Sequence, residues 1–104
     1  MLQNQPVDVA YQPLLTVYTR DGCHLCEDLL GQLPELLDED SYRLEKIDID
    51  ADPGLKQAYN VRVPVLECDG IEVCEHFLDL EALRDALVEA VARYNGENSA
   101  GAQQ

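Results

Sequence analysis

Apolar residues follow two different patterns in the first part of the chain. Residues 14–18 form a short, nearly continuous apolar run, which is typical of a buried central strand. Residues 23–38 instead repeat leucines every three or four positions, and this spacing predicts an amphipathic helix. Gly31 and Pro34 lie inside the repeat and should weaken or kink that helix. The chain therefore begins its folded part with a strand and a helix.

The middle of the chain repeats this alternation. Residues 42–48 carry spaced aliphatic side chains and suit a second strand. Residues 50–59 suit a short helix, because Pro53 is tolerated in a first helical turn. Residues 63–68 form another apolar run, which predicts a third strand. We expect the helices to connect the first three strands as parallel crossovers require.

The last part of the chain predicts a hairpin and a final helix. Asp69 and Gly70 are a strong signal for a two-residue turn, which leads into a fourth strand at residues 71–74. Asp79 can cap a helix that keeps apolar residues on one face until about Tyr94. The predicted order is β-α-β-α-β-β-α, an α/β fold with a four-stranded mixed sheet and three helices.

The apolar patterns are confined to residues 14–94, which we interpret as a single domain. That length suffices for one core that needs no disulfide to stabilise it. Residues 1–13 are polar, contain two prolines and show no period, so we expect a flexible N-terminal tail. Residues 95–104 are small and polar, and we expect a disordered C-terminal tail.

The charge balance excludes two classes of partner. Twenty-one acidic residues stand against seven lysines and arginines, for a formal net charge of −14. Nucleic acids and anionic membranes both require a basic surface. No apolar run is long enough to span a membrane, and residues 1–12 lack the basic start and apolar core of a secretory signal. We expect a cytoplasmic protein, in which closely spaced cysteines are catalytic or bind metal.

The chemistry of the chain is concentrated at Cys23 and Cys26. They follow the first predicted strand and open the first predicted helix. Amides in a first helical turn have no intrahelical partners, and the helix dipole favours negative charge there. Cys23 should therefore have a lowered pKa and attack as a thiolate, while Cys26 resolves the mixed disulfide. A protonated His24 would add to the stabilisation of that thiolate.

Two further cysteines, Cys68 and Cys74, lie on the predicted hairpin. In the register set by the two-residue turn, Leu66 pairs with Val73 and the two cysteines point to opposite faces. They could then neither bond to each other nor share a metal, and we interpret both as small buried hydrophobic residues. The pair Cys23 and Cys26 alone remains compatible with half of a zinc site.

Four segments of the chain resemble a known family. They are Tyr18 to Glu27, which reads Tyr-x-Arg-x-Gly-Cys-His-Leu-Cys-Glu, Asp48 to Pro53, Arg62 to Val65, and Asp69-Gly70. In these segments the chain resembles the thioredoxin-like superfamily and, more narrowly, its small glutaredoxin-like members. The resemblance extends over residues 14–87. It implies the same fold and a cis Val63–Pro64 peptide bond beside the cysteine pair.

The resemblance also implies an activity. Glutaredoxin-like proteins are dithiol–disulfide oxidoreductases, and this one would reduce protein or glutathione mixed disulfides through Cys23 and Cys26. Arg20 and Arg62 would help to hold the disulfide partner. The backbone of Val63 would pair with an extended substrate, and Pro64 would shape the groove. Glutaredoxins usually carry a Gly-Gly step after the fourth strand; this chain lacks it.

No bound cofactor and no metal are expected for this activity, although glutathione could serve as a co-substrate. The expected partner is a disulfide-bearing protein or glutathione, with a thioredoxin reductase as a candidate for recycling the cysteine pair. We expect a monomer. Two alternatives stay open: a module that binds zinc or an iron–sulfur cluster, and a non-catalytic interaction protein with a thioredoxin fold.

Overall fold

Four strands and three α-helices account for most of residues 11–103, the part of the chain described by this computed structural model; side chains are described for residues 11–96. In chain order the elements are β1 (Leu14–Thr19), α1 (His24–Leu36), β2 (Arg43–Asp48), α2 (Pro53–Tyr59), β3 (Val65–Cys68), β4 (Ile71–Glu75) and α3 (Leu80–Gln103). Single-turn 3-10 helices at Glu39–Ser41 and Ile49–Ala51 flank β2. The predicted α/β fold, a four-stranded mixed sheet with three helices, is confirmed.

The strands lie in the order β2-β1-β3-β4, so β1 is an interior strand. β1 runs parallel to β2, with Leu14 opposite Arg43, but antiparallel to β3, with Tyr18 opposite Val65. The expectation of three parallel strands is therefore wrong for the third. Between two parallel strands, the connection must carry the chain back along the full length of a strand to the end where the first strand began. The seven-residue α2 rises only about 10 Å, and β3 starts at the edge where β1 ends.

One face of the sheet carries the main core. Leu15 and Val17 of β1 are fully buried there together with Leu66 of β3. Helix α1 covers them with Leu29 and Leu33, which are also fully buried, and α3 adds further apolar side chains. Each fully buried aliphatic side chain contributes roughly 1.5–3 kcal/mol. This packing fixes α1, and with it the cysteine pair at its start, against the end of β1.

The β3–β4 hairpin contains a β-bulge that the sequence did not reveal. Cys68 pairs with Ile71 across the turn, as predicted, but Leu66 pairs with Cys74 rather than with Val73. Val73 is the extra residue of the bulge. The predicted register is therefore correct next to the turn and wrong beyond the bulge.

The bulge keeps a charge off the core. In an unbulged ladder, Glu75 would lie on the same face as Leu66 because side chains alternate along a strand. In the structure Glu75 instead pairs with Val65, on the opposite face, and its carboxylate accepts a hydrogen bond from Arg62 at 2.8 Å. The inserted residue thus places the Glu75 carboxylate in an ion pair with Arg62 instead of in the core.

The bulge also corrects the prediction that Cys68 and Cys74 point to opposite faces. Cys74 pairs with Leu66, two residues from Cys68, so all three side chains share the core face. Both cysteines are nevertheless free thiols. They are diagonal neighbours, for which Cα atoms are roughly 7–8 Å apart, beyond the separation that a disulfide bridges.

Asp69 in the hairpin turn holds the segment that precedes β1. It adopts φ of +50°, as a turn of this type requires, and its carboxylate accepts hydrogen bonds at 2.8 Å from the Tyr11 hydroxyl and from the first amide of β1. The Tyr11 ring stacks on Tyr94 with centroids 4.2 Å apart. Residues 11–13 of the tail predicted at residues 1–13 are thereby attached to the domain, and residues 1–10 lie outside the described residues.

Helix α3 is longer than the sequence predicted. It continues past Tyr94 to Gln103, through residues that were expected to be disordered. Those residues contain no proline, and a formed helix gains one hydrogen bond for each residue added. Even so, none of the helices between residues 11 and 103 is both long and apolar enough to cross a membrane.

Candidate active site

The loop between β1 and α1 forms the base of the candidate site. β1 ends at Thr19, and Gly22 then adopts φ of +76°, a left-handed conformation that favours glycine. A Cβ at this position would meet no described neighbour within 4 Å, so backbone conformation rather than space selects glycine. The turn delivers Cys23 to the N-cap position of α1.

Cys23 and Cys26 are joined by a disulfide, with their Cα atoms 5.2 Å apart. The Cys26 N–H donates to Cys23 Sγ at 3.1 Å, so the sulfur occupies the place of a capping oxygen. Cys26 is 1% exposed, whereas Cys23 is only half-buried. Cys23 is therefore the sulfur open to an incoming molecule, and Cys26 is the sheltered one.

The surroundings of Cys23 favour a negative charge on its sulfur. The sulfur accepts a hydrogen bond from an amide of the first helical turn, where the helix dipole is also positive. His24, the first residue of α1, is exposed to solvent directly beside it. An amide donor and a positive helix end are the surroundings that favour a thiolate, the form of cysteine that attacks disulfides.

The second wall of the site is the segment before β3. The Val63–Pro64 peptide bond is cis, and Pro64 is fully buried. Val65 follows directly and pairs with Tyr18 at the end of β1, so this segment and the cysteine loop leave the sheet at the same edge. The Val63 N–H donates to the carbonyl of Tyr59 at a long 3.3 Å. An extended substrate would therefore compete with a weak internal bond for this amide.

A groove of about 130 Å³ runs beside the cysteine pair, between α1 and the segment that joins β4 to α3. It is lined by Leu25, Asp28, Leu29, Gln32, His76, Phe77 and Leu78. Leu25 lies between the two cysteines in sequence, so the groove comes close to the disulfide, although neither cysteine lines it. Phe77 is 69% exposed, and Val61 on the neighbouring segment is 80% exposed. Large apolar side chains are thus open to solvent next to the redox pair.

The described residues offer no site for a metal. Within residues 11–103, no three or more cysteine, histidine, aspartate or glutamate side chains are grouped so that they could hold an ion. A structural zinc site requires four ligands from this set. Cys23 and Cys26 would thus need further ligands from outside this part of the chain.

The sequence pattern that defines the Glutaredoxin-like domain (DUF836) family matches residues 14–88. The chain belongs to this glutaredoxin-like family. Its relatives include the uncharacterized proteins Mb0520 of Mycobacterium bovis and Rv0508 of Mycobacterium tuberculosis. Each is 33% identical over 78 residues, which cover 70% of this chain and 80% of the relative. The family resemblance inferred from the sequence motifs is confirmed.

Two solved structures are similar to this glutaredoxin-like chain. The solution NMR structure of protein Ne2328 from Nitrosomonas europaea has a TM-score of 0.66 at 37% identity, and covers 81% of this chain and 96% of its own. The X-ray structure of protein XcR50 from X. campestris has a TM-score of 0.58 at 36% identity, and covers 72% of this chain and 96% of its own. Both similarities support the assignment of the fold.

In this glutaredoxin-like domain, Arg20 connects the two walls of the site. Its Nη2 and Nε donate to the two carboxylate oxygens of Asp50 at 2.6 and 3.2 Å, and its Nη1 donates to the Asn60 side chain at 2.7 Å. The same guanidinium holds the pKa of Asp50 below its usual value. Arg20 thus ties the cysteine loop to the segment before Pro64, and most of its donors already have partners.

Arg62 is engaged in the same way. Its Nη2 donates to Glu72 at 2.5 Å and its Nε to Glu75 at 2.8 Å, while the guanidinium lies 5.4 Å from the centre of the Tyr59 ring. These hydrogen bonds and carboxylates raise the pKa of Arg62 further. The sequence predicted both Arg20 and Arg62 as substrate-binding residues. The structure places both near the site, but each is directed towards acidic partners of its own chain.

His76 is a residue of the site that sequence reasoning missed. Its backbone N–H donates to the Pro64 carbonyl at 2.7 Å, and its ring Nε2 lies 2.9 Å from the Val61 carbonyl. It adopts φ of +69°, which is uncommon for any residue but glycine. His76 lies just after β4, where glutaredoxins usually carry their Gly-Gly step. This correspondence in sequence position could have identified His76 as a residue of the site. Asp79, three residues on, caps α3 through the Ala82 N–H at 3.0 Å, as predicted.

Proposed function

We propose that this protein is a dithiol–disulfide oxidoreductase that reduces disulfides through Cys23 and Cys26. One observation supports the proposal above the others. A half-exposed Cys23 sulfur accepts an amide hydrogen bond at the start of a helix, and a buried second sulfur lies within bonding distance. Such an arrangement separates an attacking thiol from a resolving thiol.

The reaction follows from these roles. The Cys23 thiolate attacks one sulfur of the substrate disulfide, so a Cys23–substrate disulfide forms, the substrate S–S bond breaks, and the other substrate sulfur leaves as a thiolate. Cys26 then loses its proton and attacks Cys23 Sγ, which forms the Cys23–Cys26 disulfide and expels the second substrate sulfur. Two electrons pass from the protein to the substrate, and two substrate thiols result after protonation.

The structure has the oxidised arrangement of this pair, so a thiol or dithiol reductant must supply two electrons before the next cycle. Glutathione and the dithiol of a thioredoxin reductase are the two reductant classes that we consider. The direction of net reduction requires a reducing compartment such as the cytoplasm. The pair needs no bound cofactor for either half of the reaction.

The test is to trap the mixed disulfide. Reduced Cys26→Ser protein should attack a disulfide substrate once and then stop, because no resolving thiol remains. Mass spectrometry of the intact protein should find one substrate adduct, and peptide mapping should place it on Cys23. The matched control is Cys74→Ser, which removes a thiol outside the site and should form no stable adduct.

Two results would contradict the proposal. The first is an adduct on Cys68 or Cys74 instead of Cys23. The second is a Cys23→Ser protein that reduces disulfides as fast as the unmodified chain. Either result would transfer the chemistry away from the start of α1.

A further inference from the structure

We infer that the disulfide partner is a polypeptide segment with a basic and an apolar side chain beside its cysteine, and that glutathione is a poor partner. This inference rests on the proposed function and names its substrate class. It is based on the cations already paired at the site, the groove beside the disulfide, and the acidic residues around that groove.

The first step concerns the cations. Glutathione carries two carboxylates and one ammonium group, so a site that holds it needs cationic donors directed outwards. Arg20 is paired with Asp50, and Arg62 is paired with Glu72 and Glu75. The charge of each guanidinium is already balanced by carboxylates of its own chain, which weakens its attraction for a glutathione carboxylate.

A third cation, Lys46, lies close to the cysteine loop. It lines a cleft behind that loop together with Arg20. The same cleft contains three carboxylates, those of Asp21, Glu27 and Asp48. Acids therefore outnumber bases there as well, and an anionic ligand would meet net repulsion on this side of Cys23.

The second step concerns the groove between α1 and the β4–α3 segment. Its volume of about 130 Å³ is close to the roughly 150 Å³ that holds a benzene-sized apolar group. Leu25 is partly exposed and contributes apolar surface, and Phe77, which also lines the groove, is 69% exposed. Leu25, which lies between the two cysteines in sequence, lines the groove, so the groove suits one apolar side chain of a residue next to the substrate cysteine.

The third step concerns charge. Asp28 lines the same groove and is exposed, and Glu27 is exposed on the adjacent position of α1. The chain as a whole carries a formal net charge of −14. A lysine or arginine beside the substrate cysteine would meet the carboxylate of Asp28, which forms no ion pair with the side chains of residues 11–96. The field of the whole domain would also attract a basic segment and repel anionic glutathione.

The experiment uses mixed disulfides with the same neutral 2-thiopyridine leaving group. Four probes are compared. Three carry this group on the cysteine of the end-blocked peptides Lys-Leu-Cys, Glu-Leu-Cys and Lys-Ser-Cys, and the fourth carries it on glutathione. Reduced protein is mixed with each, and release of 2-thiopyridone is followed by stopped-flow absorbance. The protein's own thiols supply the electrons, so no added reductant can attack the probe.

We expect Lys-Leu-Cys to react about tenfold or more faster than Glu-Leu-Cys and glutathione at low ionic strength, with the ratio shrinking in high salt. Lys-Ser-Cys should be about fivefold slower than Lys-Leu-Cys, because one apolar side chain no longer fills the groove. Phe77→Ser should remove the difference between Lys-Leu-Cys and Lys-Ser-Cys, and it should leave the difference between Lys-Leu-Cys and Glu-Leu-Cys unchanged.

The charge assignment has a matched pair of variants on α1. Asp28→Lys and Glu35→Lys change the net charge equally, but only Asp28 lines the groove. Asp28→Lys should abolish or reverse the preference for lysine over glutamate, and Glu35→Lys should leave most of it. Equal effects of the two variants would assign the preference to net charge and overturn the groove as its source.

Failure of this inference can be told from failure of the proposed function. If all four probes react rapidly and equally, and Cys23→Ser reacts with none, the oxidoreductase stands and the substrate class is wrong. If Cys23→Ser reacts with the probes as fast as the unmodified protein, the proposed function itself is wrong.

Discussion

The two pairs of cysteines in this chain occupy opposite environments. Cys23 lies at the start of a helix, half-exposed, with an amide directed at its sulfur. Cys68 lies in the sheet, 1% exposed, and its thiol donates a long hydrogen bond to the Ala86 carbonyl at 3.8 Å. The first environment favours a thiolate and the second favours a thiol.

The environment of the second pair, Cys68 and Cys74, makes both thiols weaker acids. Burial, and to a smaller extent the charge of Asp69, raises the pKa of Cys68 to about 11. Burial also raises the pKa of the half-buried Cys74. The comparison teaches that position in the fold, not the residue type, selects which cysteines react. Cys68 and Cys74 behave as small apolar residues of the core.

The largest expected difference between the pairs is in their rates of alkylation. In reduced protein near neutral pH, Cys23 should react with iodoacetamide at least about a thousandfold faster than Cys68, because each unit of pKa changes the thiolate fraction about tenfold and Cys68 is also inaccessible. Peptide mapping at successive times gives the individual rates. In concentrated urea the rates should converge, and a Cys68 that keeps pace with Cys23 in the folded protein would remove the comparison.

The next prediction concerns stability at alkaline pH. The folded pKa of Cys68 is above its unfolded value, so the folded state keeps a proton that the unfolded chain loses. The resulting stabilisation is fully present below about pH 9 and is lost as the pH rises through about 11. It amounts to roughly 3 kcal/mol, since one pKa unit corresponds to about 1.4 kcal/mol. Between these limits, the unfolding free energy of reduced protein should fall more steeply than that of Cys68→Ala, as measured by urea titration.

Cys74→Ala provides the matched control. Cys74 is only half-buried, so its removal should change the alkaline slope less than removal of Cys68 does. Tyr11, Tyr18 and Tyr42, whose pKa values are also raised, are common to all three proteins and cancel in the comparison. Identical slopes for Cys68→Ala and the unmodified chain would mean that the Cys68 thiol ionises as readily in the folded as in the unfolded state.

The sequence predicted the first cysteine pair well because its environment is local. A strand, a turn with Gly22, and a helix that starts at His24 are all encoded within a few neighbouring residues. The N-cap position of Cys23 follows from that order alone. The fold class was also accessible, since the apolar periods mark each strand and helix.

The second pair was predicted less well because its environment depends on pairing between strands. A single extra residue, Val73, moves Cys74 from one face of the sheet to the other, and no local pattern announces it. The ion pairs of Arg20 and Arg62 were missed for a related reason. Their partners Asp50 and Glu72 lie 30 and 10 residues away and are brought near only by the assembled sheet.

The smallest expected effect concerns His24, which adjoins Cys23 on the solvent side of α1. A charge at an exposed helix terminus is worth about 0.3–1 kcal/mol at low ionic strength. His24→Lys should therefore speed the alkylation of Cys23 about two- to fivefold relative to His24→Ala, and His24→Asp should slow it by a similar factor. Both differences should vanish in high salt, because exposed charges are screened.

Alkylation of Cys74 in the same samples should not change, since that thiol is held in the core rather than in the field of the helix terminus. A salt-independent effect of His24, or an equal effect on both cysteines, would mean that His24 acts on the structure of the site instead of on the charge of the sulfur.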